Sequence, residues 1–260
     1  MKEAEPFLEK GYEIAYEQFA LRLIPVVQDM ITGKGNLQVK QTETSCTISG
    51  KGFTVNFDLK NGTMGSYVVN GTTVVEQGPQ PSYWRAPTDN DRIGHIAAQW
   101  ERYGVREISR TDCVVRQTPS SIKVSNTWET STGVSFKHTQ IITPVVGGFN
   151  VKESVTVPKA FEDLARVGTL FELDGSLDEL VYFGTGAHET YPDRKIGRIG
   201  RYVSTVAAQY IPYVRPQENG GHTAVRWFEL VNAQGNGLRF VMGKPAQVSV
   251  TPNRDADLAD

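Results

Sequence analysis

From residue 37 onward the chain is a succession of short β-branched and aromatic runs cut by tight-turn signals, a pattern that points to antiparallel sheet. The runs 37–48, 53–59, 65–69 and 72–75 are separated by Asn61-Gly62 and Asn70-Gly71. Asn-Gly suits a type I′ hairpin turn, which needs two residues with φ > 0. Longer runs follow at 107–117, 121–129, 134–142, 149–157 and 167–173. Thr118-Pro-Ser-Ser, Thr130-Ser-Thr-Gly and Val146-Gly-Gly supply turns, and residues 158–164 read as a crossover. These five runs are expected to form one large antiparallel sheet. Helix is confined to a turn or so within 93–103. Residues 181–201 and 210–222 read as Gly- and charge-rich loops. Strands resume at 223–231 and 238–242, around the turn Gly235-Asn236-Gly237. The tail 251–260 begins a polar element and stops mid-pattern, as a truncated chain would.

The first 36 residues differ. Apolar residues largely alternate from Tyr12 to Leu23, a strand pattern that Pro25 closes; a short amphipathic helix is the alternative. Residues 26–36 read as a linker. A lone strand without a partner exposes an edge, so the chain is expected to begin inside a larger protein.

Length and charge narrow the function. At 260 residues the chain can bury roughly three quarters of its unfolded surface without staples. Its 27 basic and 29 acidic residues are well mixed, net −2. That argues against nucleic acid or an anionic membrane surface as partner. Cys46 and Cys113 are too few for a disulfide framework and read as reduced thiols. No apolar run reaches the ~18 residues of a membrane span. The N-terminus, Met1-Lys2-Glu3-Ala4-Glu5-Pro6, does not read as a signal peptide. The chain is expected to be soluble, with the compartment of its parent, cytoplasmic or periplasmic, left open.

The chemistry concentrates in residues 82–92, Ser-Tyr-Trp-Arg-Ala-Pro-Thr-Asp-Asn-Asp-Arg. So many charged groups beside Tyr and Trp suit a shaped loop in which Arg and Asp pair. Such a loop could meet a sugar, whose C–H face stacks on indole while its hydroxyls seek donors and acceptors. Trp84 is read as either packing or platform, whereas Trp128 and Trp227, on strands, are read as core.

Other motifs fail on spacing. Gly184-Thr-Gly186-Ala-His-Glu189 has Glu where a dinucleotide fingerprint has Gly, and no βαβ pattern surrounds it. His188-Glu189 is followed by Pro192 rather than a second zinc-ligating His. Asp89-Asn-Asp-Arg-Ile-Gly94 reaches Trp100 where a calcium loop needs Glu; a looser cation site on Asp89 and Asp91 stays an alternative. The sequons at Asn61 and Asn70 are accounted for by the turns. No Ser lies in a nucleophile elbow. Glu189 and Glu218 could converge to the ~5–9 Å of a glycosidase pair, although the stronger reading has acid and base in each loop neutralise one another as near neighbours, Asp193 with Arg194 and Glu218 with Arg215.

Three ordered motifs carry a resemblance. They are Tyr83-Trp84-Arg85-Ala86-Pro87-Thr88-Asp89-Asn90-Asp91, Gly184-x-Gly186-x-x-Glu189-x-Tyr191-x-Asp193-Arg194, and Pro212-Tyr213-Val214-x-Pro216-Gln217-Glu218-Asn219-Gly220. Together they resemble the C-terminal small-chain domain of bacterial β-galactosidases of the family-2 glycoside hydrolases. The segment Gly11–Phe19 is similar to the last strand of the preceding immunoglobulin-like domain. One departure is Ala187-His188, where the family usually has Pro beside the Gly.

The resemblance implies an all-β, galactose-mutarotase-like supersandwich of large antiparallel sheets over 37–260, preceded over 1–36 by a stray strand of an immunoglobulin-like domain and a linker. It implies no catalytic residue here, the catalytic TIM barrel being a missing partner. Trp84, Arg85, Asp89, Asn90, Asp91, Arg215, Glu218 and Asn219 would form a carbohydrate or domain-interface rim, braced by Glu189, Tyr191, Asp193 and Arg194. It implies no cofactor and no metal in this fragment, the family's Mg and Na ions lying in other domains. β-Galactosides would be met through the parent enzyme, and a homo-oligomeric parent is left open. Two rivals are a free-standing carbohydrate-binding module and a mutarotase-like enzyme using His188 with Glu189 or His222 with Glu218.

Overall fold

The computed structural model describes residues 2–19, 37–118 and 120–259. Fourteen strands occupy most of it. The first five are β1 (Gln38–Gln41), β2 (Ser45–Gly50), β3 (Phe53–Asp58), β4 (Thr63–Val69) and β5 (Thr72–Ser82). Two short helices follow, α1 (Asp89–Ile93) and α2 (Ile96–Tyr103). Then come β6 (Ile108–Thr118), β7 (Ser121–Thr130), β8 (Ser135–Val145), β9 (Gly148–Thr156) and β10 (Gly168–Leu173). The last four are β11 (Glu179–Gly186), β12 (Arg198–Thr205), β13 (Gly221–Val231) and β14 (Gly237–Ser249), with a 3-10 turn at Asp255–Leu258.

They form three antiparallel sheets, ordered β1-β2-β3-β4-β5-β10, β6-β7-β8-β9 and β12-β11-β13-β14. The all-β class read from the sequence is therefore the observed one. Both early Asn-Gly steps lie in hairpin turns, and at the second Asn70 and Gly71 take φ of 48° and 84°, as a type I′ turn requires. The first is not of that type, since Gly62 has a φ of 63° but Asn61 has no positive φ, and the loop between β3 and β4 runs over 59–62. One core draws on all three sheets, with Ile48, Val55, Val75, Val124, Ile142, Leu180 and Leu230 fully enclosed. A second cluster packs Tyr83, Trp84, Trp100, Val105, Phe136 and Phe161 beneath the helices.

Four sequence readings change. The five long runs do not share one sheet. β6 to β9 form a four-stranded meander, and β10 leaves it to pair with β5. The crossover between them spans the sheets, a long-range choice that local pattern does not encode. β5 extends to Ser82, well past the expected run 72–75.

Residues 181–201 contain most of β11 and the first half of β12 rather than only loops. The glycines that suggested a loop are there because the strand is crowded. A Cβ on Gly184 would come within 2.8 Å of Val225, and one on Gly186 within 2.4 Å of the Tyr182 hydroxyl. The segment 12–19, read as a strand without a partner in this chain, has no sheet partner among the described residues. It lies instead against β12. There the Gln18 carboxamide bonds both the N–H and the C=O of Ile199, and Glu13 pairs with Arg198. The linker reading and the end of that alternating run fall within 20–36, outside the described residues. Finally, Trp227 is not core but sits half-buried on the outer face of the third sheet. Trp128 does pack against the second cluster.

Candidate functional site

The 82–92 segment turns sharply from β5 into α1. Thr88 caps that helix in a capping box with Asp91: the Asp91 carboxylate accepts from the Thr88 N–H and hydroxyl, both at 2.7 Å. This is the local chemistry that the Thr-x-x-Asp spacing encodes. It leaves the Asp91 carboxylate facing Arg85, whose guanidinium donates to both its oxygens at 2.6 and 3.1 Å. Burial alone would raise the Asp91 pKa. The Arg85 and Thr88 donors outweigh it and hold the carboxyl below its usual range. With Asp91 committed in this way, the looser cation site on Asp89 and Asp91 loses one of its ligands.

Arg85 also reaches a second loop. Its Nε lies 3.1 Å from Glu218, and Arg166 approaches the same Glu218 oxygen at 3.3 Å and Asp255 at 3.2 Å. Two guanidinium groups thus hold three carboxylates from four separate segments. Burial pushes the Glu218 carboxyl up in pKa. Arg166 and Arg85 offset part of this, while Asp255 and Asp91 add to it. Asp255 is raised by burial too, against the same two arginines. Arg166 and Asp255 carried no sequence signal, since neither sits in a motif and only the fold brings them to Glu218. The reading that Arg215 neutralises Glu218 is corrected. Arg215 is exposed, and Glu218 turns inward to Arg85 and Arg166 because it is buried while its sequence neighbour is not.

Glu189 is the hub of the other side. It is buried and accepts from Arg194 at 2.7 Å, from the Tyr191 hydroxyl at 3.0 Å, from the Gly220 N–H at 3.0 Å and from the Tyr213 hydroxyl. Burial and the nearby Glu189 charge push the Tyr191 phenol up, and burial with the bond to Glu189 does so for Tyr213. Glu189, Tyr191 and Arg194 therefore brace the 210–220 loop, whereas Asp193 is exposed. Asn219 shapes the loop from within, accepting from Ile211 N–H and donating to the Gln217 carbonyl. Gln217 and Pro216 join it to α1 through Asp89 N–H and Arg92.

These loops edge an open cleft of about 1700 Å³, lined at this end by Arg85, Asp89, Asn90, Tyr213 and Glu218 and deeper by Phe171 and Phe240. Asp89 and Asn90 are exposed there. Trp84 is 7% exposed and roofed by the Arg106 guanidinium, so it is a packing residue and not a platform. His222 is buried with both ring nitrogens engaged, by Gln209 and by the Thr185 carbonyl. Burial lowers its pKa. These contacts oppose its use as a mutarotase acid beside Glu218. Among the described residues no three His, Cys, Asp or Glu side chains form a metal-like group, and no helix is long and apolar enough to cross a membrane.

Comparison with known proteins agrees with these loops. The family model for the β-galactosidase small chain matches residues 49–260. A β-galactosidase of Priestia megaterium is 30% identical over 90% of this chain and 23% of its own length. Those of Halalkalibacterium halodurans and Streptococcus thermophilus are 27% and 29% identical, over 97% and 92% of this chain and 26% and 24% of their own. The chain spans about a quarter of the length of these curated relatives, and it belongs to the β-galactosidase small-chain family.

Proposed function

We propose that this chain is the non-catalytic C-terminal domain of a longer β-galactosidase and that its loop rim helps to shape the active-site cleft of that enzyme. The small-chain match over residues 49–260, within relatives some four times longer, carries the reading. The rim supports it. Its carboxylates are spent on holding loops together: Glu189 accepts four donors and Glu218 lies between two arginines. A retaining glycosidase instead needs one free carboxylate nucleophile and one protonated carboxyl across the sugar. Terminal β-galactosides would be the substrates of the whole enzyme, and any Mg or Na ion would be held by its other domains.

The test compares this chain with the longer polypeptide on nitrophenyl β-galactoside. Hydrolysis by the longer protein alone is expected. Turnover by the isolated chain would overturn the assignment, and so would an inactive longer protein.

A further inference from the structure

Gln209 and His222 close the base of the 210–220 rim loop. The 3-10 turn Ala207–Gln209 precedes the loop and β13 opens just after it, so the two side chains meet where the loop leaves the body and where it returns. The Gln209 Nε2 donates to the Ser204 hydroxyl at 2.7 Å and to the Thr205 carbonyl at 3.2 Å. A carbonyl only accepts, so the amide nitrogen is fixed on that side and Oε1 faces His222. The His222 Nε2, 2.6 Å away, therefore carries the proton of this bond. Gly220 tightens the same base: at a φ of 68°, a Cβ there would come within 2.6 Å of the Gln209 carbonyl oxygen. Tyr213 and Glu218, which line the cleft, ride on the loop that is closed in this way.

A neutral ring satisfies the clasp, and a second proton suits the place poorly. His222 is 5% exposed and Gln209 7%. The His222 Nδ1 lies 3.3 Å from the Thr185 carbonyl, a long contact that protonation would turn into a hydrogen bond. Against that one bond stands the cost of a buried charge. Few groups that face the ring can repay it. Tyr182 of β11 lies with its ring 4.3 Å away, and burial keeps its phenol neutral by pushing it up. Val248, the ladder partner on β14, brings no charge. Glu189 attracts the proton from the segment after β11, but its carboxylate is already shared among Arg194, Tyr191, Tyr213 and Gly220. Burial outweighs Thr185 and Glu189 and lowers the pKa of the ring.

We propose that His222 is a proton-sensitive clasp: as neutral imidazole it holds the rim loop shut at its base, and uptake of one proton releases the loop. An open loop leaves the ring in water, where it takes a proton in the ordinary histidine range; the closed loop takes it only at lower pH. Closure is therefore complete above the ordinary range and is lost as pH falls toward the closed-state value. The inference rests on the loop geometry and not on the β-galactosidase reading.

The test is a pH titration of the isotope-labelled chain by NMR. The ring nitrogens of its four histidines are followed, with His222 identified by its contact with the Tyr182 ring. An Nε2–H tautomer is expected for His222 at neutral pH, with titration at lower pH than the exposed His188. Amide protection, corrected for intrinsic exchange, should fall at Ile211, Tyr213 and Gly220 by roughly tenfold per pH unit across that window, the limit for one proton. The β2–β3 amides should hold. His222→Gln keeps a donor for Gln209 but cannot titrate, so its loop protection should stay flat with pH. Five outcomes overturn the proposal: an Nδ1–H tautomer, titration at or above that of His188, titration without change in loop protection, an equal loss of protection in β2–β3, or the same pH dependence in His222→Gln. The first four are read on the unmodified chain and stand even where the variant fails to fold.

Discussion

Arg85 grips Asp91 with two hydrogen bonds, at 2.6 and 3.1 Å, six residues along the same turn. Its Nε stays free to reach Glu218, more than a hundred residues away. One planar guanidinium thus fixes a local turn and a tertiary contact together, which a Lys ammonium could not do with the same geometry. Arg85→Lys should therefore destabilise the chain, by roughly 1–3 kcal/mol in urea denaturation. A loss below about half a kcal/mol would contradict the role given to the fork.

Asp91→Asn removes the charge that faces Arg85 and half of the α1 capping box. A loss of roughly 2–3 kcal/mol at neutral pH is expected. The sign with pH follows from the depressed folded pKa of Asp91. Its contribution is complete above the ordinary carboxylate range and disappears as pH falls through the folded value. The difference in Tm between the two proteins should therefore shrink in strong acid; a constant difference across pH would refute the ion-pair account.

Glu218 and Asp255 act in the opposite sense. Both are raised by burial, so the folded state holds their protons more tightly than the unfolded state does. Between the ordinary carboxylate range and their raised values, they lower stability as pH rises. Glu218→Gln should flatten that limb of the stability profile while leaving the acid limb set by Asp91. Denaturation midpoints taken across mildly acidic buffers would show it.

Glu189→Gln leaves the loop shape but weakens the bonds from Arg194, Tyr191, Tyr213 and Gly220. Faster hydrogen exchange is expected at Ile211, Tyr213 and Gly220, with the β2–β3 amides unchanged. Tyr213→Phe should give a smaller effect of the same kind, about 1 kcal/mol in local opening free energy. Equal exchange in wild type and both variants would show that the loop is held by something else.

Gly186→Ala tests the crowding of β11. The added methyl would meet the Tyr182 hydroxyl at 2.4 Å and the Tyr202 ring at 2.8 Å. A loss of roughly 1–3 kcal/mol is expected from overpacking; a neutral result would return the residue to a loop-like role.

The sequence by itself determined the fold class and the local chemistry. Period-2 runs and Asn-Gly steps specify hairpins because the turn needs φ > 0 and the strand needs alternate faces. Thr88-x-x-Asp91 starts α1 through the same kind of local spacing, although the reading of 82–92 as a loop passed over it. The resemblance names Glu189, Tyr191 and Arg194 as a brace, whereas short spacing alone points to Asp193 as the partner of Arg194, which instead pairs with the buried Glu189. Only the tertiary structure decided which distant groups share a site. Glu218 pairs with Arg85 and Arg166 and not with Arg215, because burial, which no local pattern reports, turns its carboxylate inward. The transfer of β10 to the first sheet and the outward placement of the half-buried Trp227 were decided there too. A strand's pattern says that its faces differ, but only the sheets it packs between say which face meets water.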